Sequence, residues 1–163
     1  MKIIYLASYE AEHPNWNITY QDINGKRDLG GDMLDIDLKP YDVIIATPPC
    51  NYYSRANYRR DISDYSQKTK HLLPAILNKL KKLNKPYIVE NVVNYTLMKE
   101  FYDQDFVYQV GRHTYWKNIP FNPTLIKQKF DNINNISTNK RQGGENVHLV
   151  IEYWLQNQKE IIS

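Results

Sequence analysis

Apolar positions along the chain gather into short unbroken runs separated by polar, glycine-marked or proline-marked stretches. Residues 43–46 (VIIA) are continuously apolar and rich in β-branched side chains, the pattern of a strand buried on both faces of a parallel sheet. Pro48 and Pro49 end it, because neither can donate a ladder hydrogen bond, and Cys50 is then presented in a stiffened loop. Residues 2–7 (KIIYLA) predict a first central strand, and the alternation in residues 17–23 (NITYQDI) predicts a second that ends around Asp22. Within residues 85–93 (KPYIVENVV), Tyr87-Ile88-Val89 predict another buried strand, with Glu90 and Asn91 following at its end. Leu72, Leu73, Ile76, Leu77, Leu80 and Leu83 recur at helical spacing inside residues 66–83, with lysines on the other face. That spacing predicts one sheet-covering helix, with Pro74 in its first turns or bending it.

Further along the pattern weakens. Residues 96–102 predict a short helix and residues 106–110 a short strand; Gly111-Arg112-His113-Thr114-Tyr115-Trp116 then combines an arginine with aromatic side chains. Residues 121–139 are rich in asparagine without a strong period and predict an irregular loop. Residues 147–155 (VHLVIEYWL) predict a closing helix that starts after Gly143-Gly144 and Glu145-Asn146.

Strands alternating with helices predict an α/β fold, a mostly parallel sheet flanked by helices, and 163 residues fit a single domain over residues 1–163. A right-handed crossover then sets the ends of residues 43–46 and 87–89 side by side. Open sheets of this kind bind ligands beyond the carboxyl ends of their strands, so Cys50 and Glu90 share the favoured edge. A lone thiol there is either an inert small hydrophobe or a reactive group. An acid leaving a buried strand suits protonation of a bound group. Asp22 stands where cofactor folds hold a ribose hydroxyl, or is an exposed loop carboxylate. Residues 8–14 contain no glycine, unlike the usual glycine-rich cofactor turn.

Composition narrows the classes. One cysteine makes no internal disulfide, no apolar run is long enough to span a membrane, and no basic-then-apolar leader opens the chain; a reduced, cytoplasmic setting is the expectation. The formal charge of +3 is only mildly basic. Residues 51–60 (NYYSRANYRR) interleave tyrosines with Arg55, Arg59 and Arg60, which fits either a nucleic-acid-facing segment or a solvated linker. No internal repeat, P-loop or paired metal-ligand spacing is present, and four scattered histidines with one cysteine argue against a zinc site.

Taken in order, Pro48-Pro49-Cys50 and Glu90-Asn91-Val92, each at the end of a predicted strand, resemble the two signatures of the cytosine-5 DNA methyltransferase family, particularly its short phage-type members. The resemblance implies a reduced, Rossmann-like fold of the class I S-adenosylmethionine-dependent type. It implies DNA as partner, a flipped-out cytosine, Cys50 as the thiolate that adds to ring carbon 6, and Glu90 as the acid at N3. Arg112 corresponds to the first arginine of the family's Arg-x-Arg pattern, whose second position is Thr114 here. For S-adenosylmethionine it implies Asp22, Asp32 in Gly31-Asp32-Met33, Pro48 and Asn146. The family's opening Phe-x-Gly-x-Gly loop is missing from residues 6–14. Its target-recognition domain has no counterpart except residues 121–139, so a protein partner would supply recognition. A phage source would place the protein in the cytoplasm of a bacterial host. The alternative expectation is a methyltransferase-like protein that no longer methylates and binds DNA or a protein partner.

Overall fold

The computed structural model describes residues 1–9, 11–102, 106–119 and 140–162, with the side chains of 106, 140–146, 148 and 160–162 outside the description. Six strands form one sheet: β1 (Ile3–Leu6), β2 (Ile18–Tyr20), β3 (Val43–Ala46), β4 (Tyr87–Val92), β5 (Phe106–Val110) and β6 (His113–Lys117). Their spatial order is β2-β1-β3-β4-β6-β5. β1 pairs in parallel with β2 and β3, and β3 with β4, whereas β6 runs antiparallel to both β4 and β5. The mostly parallel α/β sheet expected from the sequence is therefore the observed one.

Strand side chains alternate between the two faces, and each face has its own cover. On one face Ile3, Tyr5, Val43, Ile45 and Ile88 pack under Val147, Val150, Ile151, Trp154 and Leu155 of the last helix, α4 (Lys140–Ile162). On the other, Ile4, Leu6, Ile44, Ala46, Tyr87 and Val89 meet Leu73, Ile76, Leu77 and Leu80 of α2 (Leu72–Leu83), together with Met98 and Phe101. Burial on both faces is why these strands read as unbroken apolar runs.

The single helix predicted over residues 66–83 is two helices, α1 (Asp64–Thr69) and α2. The reason is Pro74, which lacks the N–H that would bond the Lys70 carbonyl four residues back and whose ring crowds that carbonyl. The Lys70 carbonyl accepts the Tyr53 hydroxyl instead, at 2.8 Å. Ser63 caps α1 by accepting from the Ser66 N–H. A short helix, α3 (Tyr95–Met98), capped by Asn94, and a 3-10 turn (Lys99–Phe101) replace the predicted helix over 96–102.

Two strand boundaries also differ from expectation. β4 runs on to Val92, so Glu90 and Asn91 lie inside the strand; β3 has stopped at the Ala46–Val89 pair, and the extension is held by β6 alone on that side. β6 itself comes from residues read only as an arginine-aromatic stretch. Val110 pairs with His113, leaving Gly111-Arg112 as a two-residue hairpin turn, and Gly111 adopts φ +58°, a backbone conformation that glycine reaches without strain. The closing helix starts at Lys140, with Gly143 and Gly144 inside it rather than before it. Two helical glycines cost about 2 kcal/mol together, which the buried face from Val147 to Leu155 offsets. The loop expected over residues 121–139 lies outside the described residues.

Candidate active site

A cleft of about 530 Å³ opens at the carboxyl ends of the parallel strands, and its lining includes Cys50, Glu90, His113, Asp22, Asp32 and Pro48. Its position follows from the topology, since the loops after β1, β2 and β3 and the extended end of β4 all leave the sheet on this edge.

The Cys50 loop is held from β4 outward. Asn91, fully buried, donates from its side-chain amide to the Pro48 carbonyl at 3.0 Å, and buried Asn94 donates to the Tyr53 carbonyl at 2.7 Å. The Ser54 N–H closes a turn onto the Cys50 carbonyl at 2.8 Å. Both asparagines thus tie the thiol's loop to the strand that carries Glu90. Burial pushes the half-buried Cys50 thiol above its ordinary pKa, and the negative charge of Glu90 pushes in the same direction. The resting group at neutral pH is therefore the thiol.

Glu90 meets His113 across the β4–β6 ladder, with Nδ1 of the imidazole 2.6 Å from Oε1 of the carboxylate. Burial, and to a smaller extent the Glu90 charge, also raise the phenols of Tyr5 and Tyr115. Tyr5 shares a hydrogen bond with Thr47, which in turn donates to the Ala7 carbonyl at 3.0 Å. The carboxylate accordingly stands among weak acids that keep their protons at neutral pH, with His113 as its close basic neighbour.

The loop after β1 has the backbone that its sequence did not advertise. Ala7 (φ +52°) and Tyr9 (φ +47°) both occupy the left-handed region normally left to glycine. Gln21 holds Ala7 there: its side-chain oxygen accepts the Ala7 N–H at 2.8 Å, and its backbone carbonyl accepts the N–H of the following Ser8 at 2.9 Å. Its amide reaches on to the Gly31 carbonyl at 2.6 Å, linking this loop to the one that carries Asp32. Holding alanine left-handed costs about 1–2 kcal/mol, against roughly 0.5–1 kcal/mol of extra chain entropy lost by a glycine. Ala7→Gly is therefore expected to leave stability unchanged or raise it by up to about 1.5 kcal/mol, and Ala7→Val to lower it. Urea unfolding of the two variants measures both signs.

Asp22 and Asp32 each give one carboxylate oxygen to a backbone N–H two residues on, Asn24 at 3.2 Å and Leu34 at 2.8 Å. That leaves the other oxygen of each for a donor in the cleft, beside the apolar walls of Ile23, Met33 and Leu72. Arg112 stands apart: it is exposed on the hairpin turn, its carbonyl accepts the Val93 N–H at 2.9 Å, and it is not among the residues lining the cleft. Asn146 falls in α4 next to Val147, which does line the cleft, but its side chain lies outside the described residues. His113, Asn94 and Gln21 are the site residues that sequence reasoning passed over. Gly111-Arg112 flanked by strand-like residues was the available signal for His113. Among the described residues no group of three histidine, cysteine or acidic side chains is placed to hold a metal ion, and no helix is long and apolar enough to cross a membrane.

Comparison with known proteins gives the family. Over 96 residues the chain is 31% identical to the type II methyltransferase M1.HgaI of Avibacterium volantium, a match that covers 58% of this chain and 27% of that protein. The chain thus spans about a quarter of the length of the curated relative it matches. Among solved structures it is similar to the Entamoeba histolytica methyltransferase EhMeth at 22% identity and a TM-score of 0.41, over 74% of this chain and 54% of that one. The profile of C-5 cytosine-specific DNA methylases matches residues 2–108, about two thirds of the chain, a span that contains both Cys50 and Glu90. The chain belongs to the C-5 cytosine-specific DNA methylase family.

Proposed function

We propose that this protein methylates carbon 5 of cytosine in DNA through a covalent adduct with Cys50. The observation that carries the reading is that Cys50 and Glu90 line one cleft together with Asp22 and Asp32. Carbon 5 of cytosine is a poor nucleophile. Once the Cys50 thiol loses its proton, its sulfur adds at carbon 6, and the ring becomes an enamine that is nucleophilic at carbon 5. The addition drives electron density onto N3, where Glu90 donates a hydrogen bond or a proton. Once carbon 5 has taken up a methyl group, loss of its proton expels the thiolate, N3 gives up the proton it received, and the aromatic ring is restored. A cytosine inside a duplex cannot reach a thiol in such a cleft, so the base is flipped out, and Arg112, exposed on the β5–β6 turn, helps hold it.

S-adenosylmethionine, when bound, supplies an electrophilic methyl group. The described lining fits it: Asp22 would take the ribose hydroxyls, Asp32 the adenine edge and Pro48 one wall, and Asn146 would meet the methionine end. The volume lies within the usual range for small-molecule sites of roughly 300–1,000 Å³. Calorimetric titration should give a saturable heat, and Asp22→Ala should weaken it about tenfold or more, the loss expected of a charged hydrogen bond. Absence of heat at high protein concentration removes this reading. It would favour a second one, a methyltransferase-like protein that binds DNA or a protein partner without methylating, to which Thr114, buried against the Tyr102 hydroxyl where the family carries its second arginine, lends support. Recognition of flanking sequence by a protein partner belongs to either reading.

A further inference from the structure

On the reading of Glu90 as the acid at N3, we propose that His113 is its positioning residue: the imidazole holds the Glu90 carboxyl in the cleft and delivers a proton to it from solvent. The contact is short, with Nδ1 2.6 Å from Oε1, and both residues line the same cleft as Cys50. The imidazole is also the wetter of the two, 21% exposed against 12% for the carboxylate, so it is the end of the pair that meets water. The step moves one proton. Nδ1–H of the imidazolium passes to Oε1, leaving a neutral imidazole and a neutral carboxylic acid, and the imidazole regains a proton from water.

The surroundings give His113 this part. Strand neighbours present Val92 and Val110 to it, and α4 brings Val147 to the cleft, none of which titrates. Among the described residues, those that feel the Glu90 charge include Cys50 from the loop after β3, Tyr5 from β1 and Tyr115 from β6. Among the described residues that line the cleft His113 is the one basic side chain, and beside Glu90 it offsets part of the negative charge that reaches Cys50. Arg112, next to it in the chain, is exposed on the turn.

The test needs neither DNA nor methyl donor, because the protein has one cysteine and its alkylation by iodoacetamide reports on Cys50 alone. With His113→Ala, alkylation at pH 6 should slow by roughly three- to tenfold, since an uncompensated carboxylate disfavours the thiolate. The deficit should shrink as the pH is raised, because alkaline solution removes the charge of any imidazole and with it the difference between the two proteins. In a Glu90→Gln background the same substitution should change nothing. His113→Asn keeps an uncharged donor near the Nδ1 position and supports the fold; it should show the same deficit at pH 6. A merely structural role predicts a slowing that is independent of pH, or one that persists in the Glu90→Gln background, and either result overturns the proposal. Equal alkylation of all variants overturns it as well. In the methylation assay the substitutions should lower kcat by about tenfold or more with little change in KM for DNA. If the alkylation coupling is present but no methyl transfer is found, the pairing stands and the proposed function is what fails.

Discussion

Cys50→Ala is expected to abolish methyl transfer to cytosine, lowering the rate by a factor on the order of 10⁴ or more, as removal of a covalent nucleophile does. The effect is large because nothing else in the chain can take over: Cys50 is its single cysteine. The substitution removes one half-buried sulfur from a loop whose shape is set by Pro48, Pro49, Asn91 and Asn94, so the fold should survive it. DNA carrying 5-fluorocytosine makes the same point covalently. With the methyl donor present, once carbon 5 has been methylated its fluorine leaves no proton to lose, the thiolate cannot be expelled, and wild-type protein should remain attached to the DNA through denaturing electrophoresis. Cys50→Ala protein should migrate freely. An adduct that persists in the variant would assign the nucleophile to another residue.

Much of this arrangement was legible in the chain because its signals are local. Four-residue apolar runs report strands buried on both faces, and proline after a strand reports where it stops, so the edge shared by Cys50 and Glu90 followed from residues 43–50 and 87–91 without any contact being known. What escaped was decided between elements. The break before α2 depends on Pro74 meeting the Lys70 carbonyl and on Tyr53, seventeen positions from Lys70, to take that carbonyl over. β6 was hidden because Thr114, Tyr115, Trp116 and Lys117 are all buried, which erases the alternation an edge hairpin would show. With it went His113, whose role exists only through the register that sets it beside Val92 and within reach of Glu90. The first loop misled for a different reason. A glycine-free stretch predicts no glycine-like turn, whereas the hydrogen bond that Ala7 donates to Gln21, fourteen residues later, holds it in the left-handed region regardless of its side chain.

Glu90→Gln is expected to move activity and thiol reactivity in opposite directions. Methyl transfer should fall by roughly 10²–10⁴-fold, the range of a lost general acid, because an amide can still donate to N3 but has no proton to give. The nearly isosteric side chain keeps its place in the β4–β6 ladder and retains an oxygen that can accept from His113, so loss of fold does not account for the drop. Cys50 behaves otherwise. Its thiol is raised by burial first and by the Glu90 charge second, and the substitution removes only the second contribution. The thiol becomes more acidic, the thiolate fraction at neutral pH rises, and alkylation by iodoacetamide should be faster in the variant than in the wild type, with its pH midpoint moved down. The residual methyl-transfer activity should shift its rising limb to lower pH in the same sense, since both report deprotonation of one sulfur. A variant that loses activity while its thiol also becomes less reactive would mean that Glu90 supports Cys50 structurally, and the assignment of the carboxyl to N3 would have to be given up.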